Sequence, residues 1–363
     1  MRIGDFGEKE FIHEVLGQAA STAQADMFDD CVVVDLAEIT GAADAPYLVY
    51  SMDQPGFVRQ PDPAVDPYRF YGRWVAGATC NDVLAMGAEC RGFSLALAAP
   101  QDMEVHDVKE LIAGISDVLA HIGARYEGGN LDNSALATVG YAWGLVPRHG
   151  IVRRSGARVG DRIAVTGPLG TGWLEYQLRK NSLLDQVGED LPAFRAYKAM
   201  PVGAAKPIAA AAANGWLTSG MDLSDGLCEF LYTVARRNDV GCRIDAAALP
   251  VDPVARRNLP LLGRISPKAA DVLRERPELL ALDPGYDSPL RHAFTIPEEH
   301  VPDARGLFAQ RGADLRVVGE VTAQPGVRLS RDGGEREIPA FWDDQLRGEN
   351  LVTAWTEFLL CLA

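Results

Sequence analysis

Short apolar runs of strand length alternate with longer segments of helical period along most of this 363-residue chain, which restricts it to folds that layer helices on sheets. Cys31-Val32-Val33-Val34-Asp35-Leu36 and Tyr47-Leu48-Val49-Tyr50-Ser51-Met52 are β-branched or aromatic and bounded by Asp, Gly or Pro, so they predict strands. Cys90–Ala99 and Ser134–Leu145 predict two more. Pro67–Met86 and Val105–Ile122 carry apolar residues at helical spacing, the first stopping at Gly87, and residues 7–24 predict an opening helix on Phe11, Ile12, Val15 and Leu16. A Gly-, Arg- and Pro-rich segment, Val146–Asp161, then breaks the pattern. Beyond it Arg162–Thr166, Gly241–Ile244, His292–Ile296 and Leu315–Val321 predict strands, and Pro207–Asn214 and a segment through Arg237 predict helices. The expected fold class is therefore α/β (α+β), with two mixed α/β domains at 1–147 and 148–363. The second domain closes in an acidic, aromatic tail.

Composition narrows the function. Hydrophobic residues at 47% and charged residues at 23% suit a globular enzyme rather than a disordered chain. A net charge of −15 would repel a polyanion, and no Lys/Arg-rich run offers a local exception, so nucleic acid is a poor partner. ATP remains possible if metal ions lie between protein carboxylates and phosphates. The six cysteines form no C-x-x-C pair, which removes the usual zinc and disulfide patterns and predicts buried thiols in a reducing cytoplasm. No run approaches the roughly 18 apolar residues of a membrane span, and the acidic start MRIGDFGEKE is unlike a signal peptide. A cytoplasmic location is expected.

Gly167-x-x-Gly170-x-Gly172 follows a strand but lacks the Lys of a P-loop and the spacing of G-x-G-x-x-G, so it serves equally as a structural turn. More informative are aspartates at strand ends and turns: Asp29, Asp30, Asp53, Asp82, Asp222 and Asp225. Singly, each could be a cap or turn residue. Gathered from separate elements, they are what hard Mg²⁺ ions need when they bridge phosphates.

The order of short motifs carries a resemblance. The chain reads Gly7-Glu8-x-x-Phe11-Ile12, Asp29-Asp30-Cys31, Ser51-Met52-Asp53, Asn81-Asp82-x-x-Ala85-Met86-Gly87-Ala88 and Gly128-Gly129. It continues with Arg154-Ser155-Gly156-Ala157-x-x-Gly160-Asp161, Val165-Thr166-Gly167 and Asp222-x-Ser224-Asp225-Gly226-Leu227. From residue 7 to about Pro250 this resembles the thiamine-monophosphate kinases. More broadly it resembles the superfamily that includes aminoimidazole ribonucleotide synthetase and selenophosphate synthetase. The resemblance implies a homodimer whose N-terminal sheets pair into a barrel-like core, with Mg²⁺ and the cosubstrate ATP in an aspartate-lined cleft. By the family pattern Asp30, Asp53, Asp82, Asp222 and Asp225 ligate magnesium, while Gly129, Asn130, Arg154 and Ser224 bind ATP. It assigns no catalytic acid or base.

The departures fall mainly on the acceptor side. Asn130 stands where the family has Asp, which keeps an oxygen but removes a charge; Asp132, two residues on, is a possible substitute. Met52 stands where a Thr is usual. A Gly-Gly-Glu-Asp-Tyr-Glu-Leu segment is replaced by Asp283–Ile296, which loses the acidic pair and gains Arg291 and His292, and the Gln54–Arg59 loop lacks the usual His. Arg59, Asp287 and Arg291 are candidate acceptor contacts. Arg59, Arg291 and His292 would suit an anionic small molecule, although long basic side chains more often serve a solvated surface. Losing two buried polar contacts would lower efficiency toward thiamine monophosphate by about 10²–10⁴-fold. Three readings follow: an ATP-dependent kinase of the thiamine-monophosphate kinase type, a synthetase that activates an amide or carboxyl oxygen by phosphorylation, and a non-catalytic ATP-binding homologue. Selenophosphate chemistry is disfavoured because no Cys precedes Asp29.

Overall fold

The apolar runs pair into two separate sheets. The computed structural model describes residues 29–56, 65–197, 204–284, 291–340 and 351–363; the opening helix expected over 7–24 lies outside them. The first sheet contains β1 (Val32–Asp35), β2 (Tyr47–Asp53), β3 (Glu89–Ala99), β4 (Arg125–Asn133) and β5 (Ala137–Val146), in the order β1-β2-β5-β3-β4. All its pairs are antiparallel except β3–β4. Helix α1 (Pro67–Ala85) starts where the Asp66 carboxylate accepts from the N–H groups of Tyr68 and Arg69. It ends at Gly87, whose φ of +75° provides the left-handed turn expected of a stop. Helix α2 (Val105–Ile122) packs along α1 and makes the crossover that a parallel β3–β4 pair requires.

Residues of β5 alternate strictly. Thr138, Ala142 and Val146 are buried on the face toward α1, while Val139, Tyr141, Trp143 and Leu145 are half-buried on the other. Tyr50 and Met52 of β2 lie beside that second face, with the Tyr50 and Tyr141 rings 5.5 Å apart. This sheet is open, with β1 and β4 at its edges, so a single chain does not build the barrel-like core that the resemblance implies.

A bidentate ion pair ties the connecting segment back to the first sheet: Arg148 donates to both Asp35 oxygens, at 2.5 and 2.8 Å. The second sheet follows, from β6 (Arg162–Val165), β7 (Ser219–Asp222), β8 (Gly241–Asp245), β9 (His292–Ile296), β10 (Arg316–Thr322), β11 (Gly326–Arg331) and β12 (Gly334–Glu337). Its order is β12-β11-β8-β10-β6-β9-β7, which puts β7 on the edge. Helices α3 (Thr171–Lys180), α4 (Ala205–Ala213) and α5 (Gly226–Asn238) connect its strands, and α6 (Leu351–Leu362) ends the chain. The expected tail thus holds a hairpin and a helix. Trp355 of α6 meets Trp173 of α3 edge to face at 5.3 Å, and both are fully buried. Five of the six cysteines are buried thiols, as expected, and Cys361 is exposed.

Candidate active site

Four elements bring acidic side chains to one place. Asp30 precedes β1, Asp53 ends β2, Asp82 lies in the last turn of α1, and Asp222 ends β7 of the other sheet. Carboxylate oxygens of Asp30, Asp82 and Asp222 lie within 4.8 Å of one another. Asp225 lies three residues beyond the end of β7, immediately before α5. The cluster therefore depends on how α1 of the first half meets β7 of the second.

Polar contacts hold these groups in place. The Ser51 hydroxyl donates to Asp82 Oδ2 at 2.5 Å, and the Ser224 hydroxyl donates to Asp222 Oδ1 at 3.1 Å. The Asn81 amide reaches Asp222 Oδ2 at 3.5 Å. His292 faces Asp222 in the β7–β9 register and places Nε2 3.3 Å from the Asn81 carbonyl. The N–H of Arg154 donates to Asp29, and its guanidinium donates to Asp30 Oδ1 at 2.7 Å. Arg153 pairs with Asp29 at 2.9 Å.

The electrostatics match a site built for positive charge. Burial pushes the Asp82 carboxyl well above the usual carboxylate range, and Asp222, Asp30 and Asp53 push it further. Burial, then Asp30 and Asp225, raise Asp222 to about 7, against the lowering effect of Arg154. Asp30 is raised by burial despite Arg154, and Asp53 by burial and Asp225. Burial opposes the charge on Arg154, but Asp30, Asp222 and Asp225 outweigh it and keep the guanidinium cationic. Two acceptor atoms in the cluster, Asp30 Oδ2 and Asn81 Oδ1, are buried without a hydrogen-bond partner among the described residues. An all-oxygen donor set with acceptor capacity to spare fits a hard divalent cation better than a soft one.

The other sequence-predicted residues are spread more widely. Arg154 and Ser224 join the cluster. Gly129 and Asn130 sit exposed on the edge strand β4. Across the sheet Asp53 pairs with Gly140, Gly140 with Leu95 and Leu95 with Gly129, so three strand spacings, about 14 Å, separate Asp53 from Gly129. Gly129 has a φ of +155°, and a Cβ there would meet the Leu95 carbonyl oxygen at 1.8 Å. Arg59 and Asp287 lie outside the described residues. Arg291 is half-buried, and its Nε donates to the Pro168 carbonyl at 2.9 Å, in the Gly167–Gly172 turn. Its own carbonyl accepts from the Leu223 N–H, within the Asp222–Asp225 turn. His292 is fully buried and burial lowers it to about 4, so it is neutral at physiological pH and offers an anion no charge. Sequence reasoning missed the bracing roles of Ser51, Asn81 and Asp29. Ser51 and Asn81 belong to the quoted motifs, but which carboxylate each one braces depends on tertiary packing.

Residues 28–146 match the family described as AIR synthase related protein, N-terminal domain, and residues 158–332 match its C-terminal domain. The chain is 34% identical over 269 residues to the thiamine-monophosphate kinase of Halobacterium salinarum, covering 73% of this chain and 81% of that protein. It is 32% identical over 277 residues to that of Synechococcus elongatus, covering 73% and 76%. Among solved structures, one described as AaThiL complexed with AMPPCP and TMP superposes with a TM-score of 0.73 at 22% identity, covering 94% of this chain and 98% of that one. The hydrogenase maturation protein HypE in complex with ATP gives 0.65 at 18% identity, covering 95% of each. Both structural likenesses speak to the fold alone.

Proposed function

We propose, from the premise that this chain belongs to the AIR synthase related protein family, that it is an ATP-dependent phosphotransferase of the thiamine-monophosphate kinase type. One observation carries the reading to this chain's own residues: Asp30 and Asp82 from the first half and Asp222 from the second converge, with Arg154 against them. Asp30, Asp82 and Asp222 would hold Mg²⁺, with Asp53 and Asp225 in electrostatic reach. A bound ion of this kind supplies charge neutralisation and alignment of the phosphates.

The protein's part is positioning. The Arg154 guanidinium matches the fork geometry of phosphate oxygens, and the Ser224 hydroxyl, next to Asp225, offers a further contact. The acceptor oxygen bonds to the γ-phosphorus, the bond from that phosphorus to the β–γ bridging oxygen breaks, ADP leaves, and any proton on the acceptor oxygen passes to solvent. Thiamine monophosphate is the acceptor that the relatives' names supply. The altered segment ending at Arg291 predicts that it is used about 10²-fold or more less efficiently here than by those relatives.

A homodimer accords with the outward face of the first sheet. Tyr50, Met52, Tyr141 and Trp143 form an apolar surface that a second copy would cover, closing the barrel-like core. The segment after Val146 divides the chain into domains 1–147 and 148–363, so the cluster lies on their boundary. Net charge argues against nucleic acid, and among the described residues no helix is long and apolar enough to cross a membrane. A reducing, ATP-rich cytoplasm suits the buried thiols.

The test is ³¹P NMR of the protein with ATP, Mg²⁺ and high thiamine monophosphate. One ADP per stable phosphorylated acceptor supports the reading. ADP with equimolar inorganic phosphate and a condensed product would replace it with ligase-type chemistry.

A further inference from the structure

The carboxylate cluster already contains a cation, and it belongs to the chain. Arg154 Nη2 donates to Asp30 Oδ1 at 2.7 Å, while Asp30 Oδ2, on a side chain only 2% exposed, has no partner among the described residues. Asp30 also shares the 4.8 Å oxygen cluster with Asp82 and Asp222. The guanidinium itself is incompletely used, since its Nε is buried without a partner among the described residues.

The main chain of Arg154 is held independently of its side chain. Its N–H donates to Asp29 Oδ1 at 2.9 Å, and its carbonyl accepts from the Ser219 hydroxyl at 3.0 Å and the Asn238 amide at 3.3 Å. The neighbouring Arg153 is engaged by Asp29. A side chain anchored in this way can leave Asp30 by rotation alone.

Two cations on one carboxylate repel each other strongly in a partly desolvated site. A metal ion on the open Asp30 Oδ2 would lie beside the guanidinium on Oδ1, and their mutual repulsion opposes joint occupancy. A guanidinium displaced from Asp30 loses its hydrogen-bonded carboxylate, and its planar fork suits phosphate oxygens well.

We propose that Arg154 is a tethered cation that occupies the carboxylate cluster until a metal ion displaces it, so that metal binding releases the guanidinium to the phosphates of ATP. This rests on the reading of the cluster as a metal site. Each ligand then raises the affinity of the other by the same factor, as linkage requires. Nucleotide binding without metal is weak because Arg154 is engaged elsewhere. Metal binding without nucleotide is weak because Arg154 must be displaced without compensation.

The experiment measures Mn²⁺ binding to the full chain without nucleotide at pH 8, reading free Mn²⁺ by electron paramagnetic resonance. Arg154→Met and Arg154→Gln should bind the first Mn²⁺ about tenfold tighter than wild type, equivalent to about 1.4 kcal/mol. Arg154→Lys, which keeps the charge, should stay near wild type. Wild-type protein adds a measurement that needs no variant: modification of Arg154 by phenylglyoxal, followed by mass spectrometry. The rate should rise several-fold with Mn²⁺ and fall again when AMPPCP is added. Neutral variants that bind Mn²⁺ no tighter than wild type, or a modification rate indifferent to Mn²⁺, would overturn the competition while leaving the metal site standing. Failure of wild type and every variant to bind Mn²⁺ would remove the metal site itself, and the competition with it.

Discussion

Replacing Asp82 by Asn should stabilise the metal-free protein and disable it. The Asp82 carboxyl is buried and pushed well above its usual range, first by burial and then by Asp222, Asp30 and Asp53. The native metal-free state therefore bears the cost of a group that resists ionising in place. An Asn side-chain oxygen can still accept the Ser51 hydroxyl that now bonds Asp82 Oδ2, so local packing is retained. Each tenfold change in ionisation is about 1.4 kcal/mol. A gain on the order of 1 kcal/mol would raise the melting temperature by about 2–4 °C. With metal present the sign reverses, because the variant loses one anionic ligand. Removing one charge-stabilising group from such a site costs about 3–4 kcal/mol, or roughly 10²–10³-fold in kcat/KM. Thermal melts in EDTA at pH 8, paired with kcat/KM across a Mg²⁺ series, read both effects. Near-normal turnover at low Mg²⁺ would refute the assignment of Asp82 to the metal. A melting temperature several degrees lower in EDTA would show instead that the carboxylate serves the fold.

Three further predictions follow from the same geometry. Asp222 is raised to about 7 in the folded state against an ordinary 3.8, so between those values the native protein binds a proton that the unfolded chain does not. Metal-free stability should therefore fall as pH rises from about 4 through 7, by up to about 4 kcal/mol. Melting curves in EDTA at several pH values check the slope, and saturating Mg²⁺ should flatten it. Gly129→Ala should force β4 away from β3, because its Cβ would meet the Leu95 carbonyl at 1.8 Å; faster amide hydrogen exchange confined to residues 125–133 would show this. Tyr141→Asp, which puts a charge on the outward face beside Tyr50, should shift sedimentation equilibrium from twice the chain mass of 39.2 kDa toward that mass. An unshifted mass would place the dimer contact elsewhere.

Legibility in the sequence followed how local each signal was. Val105–Ile122 and His292–Ile296 form the helix and strand expected, because their periodicity and boundaries are written in consecutive residues. Strand β4 was hidden. Arg125–Asn133 has two central glycines and almost no apolar alternation, and it is held in the sheet by parallel pairing to β3 rather than by burial. The β11–β12 hairpin did carry a local sign, Asp332-Gly333, both at positive φ as a tight hairpin turn requires. The acidic character of the tail obscured both this turn and the helical spacing of Val352, Trp355, Leu359 and Leu362. In the site, Asp30, Asp82 and Asp222 were legible as candidates from motif order, but their convergence depends on α1 meeting β7 between two sheets. The neutral state of His292 was not legible, because it depends on burial between β9 and the Asn81 carbonyl. The distance of Gly129 from Asp53 was equally hidden, since it follows from strand order rather than from sequence.

The most direct test of the central claim is anomalous diffraction from crystals grown with Mn²⁺ and AMPPCP. The account predicts a manganese peak within about 2.0–2.4 Å of carboxylate oxygens of Asp30, Asp82 and Asp222, typical of oxygen-ligated divalent ions, with the analogue's phosphates against it. Bound AMPPCP with no peak at these three aspartates, or with manganese held by other side chains, would contradict it.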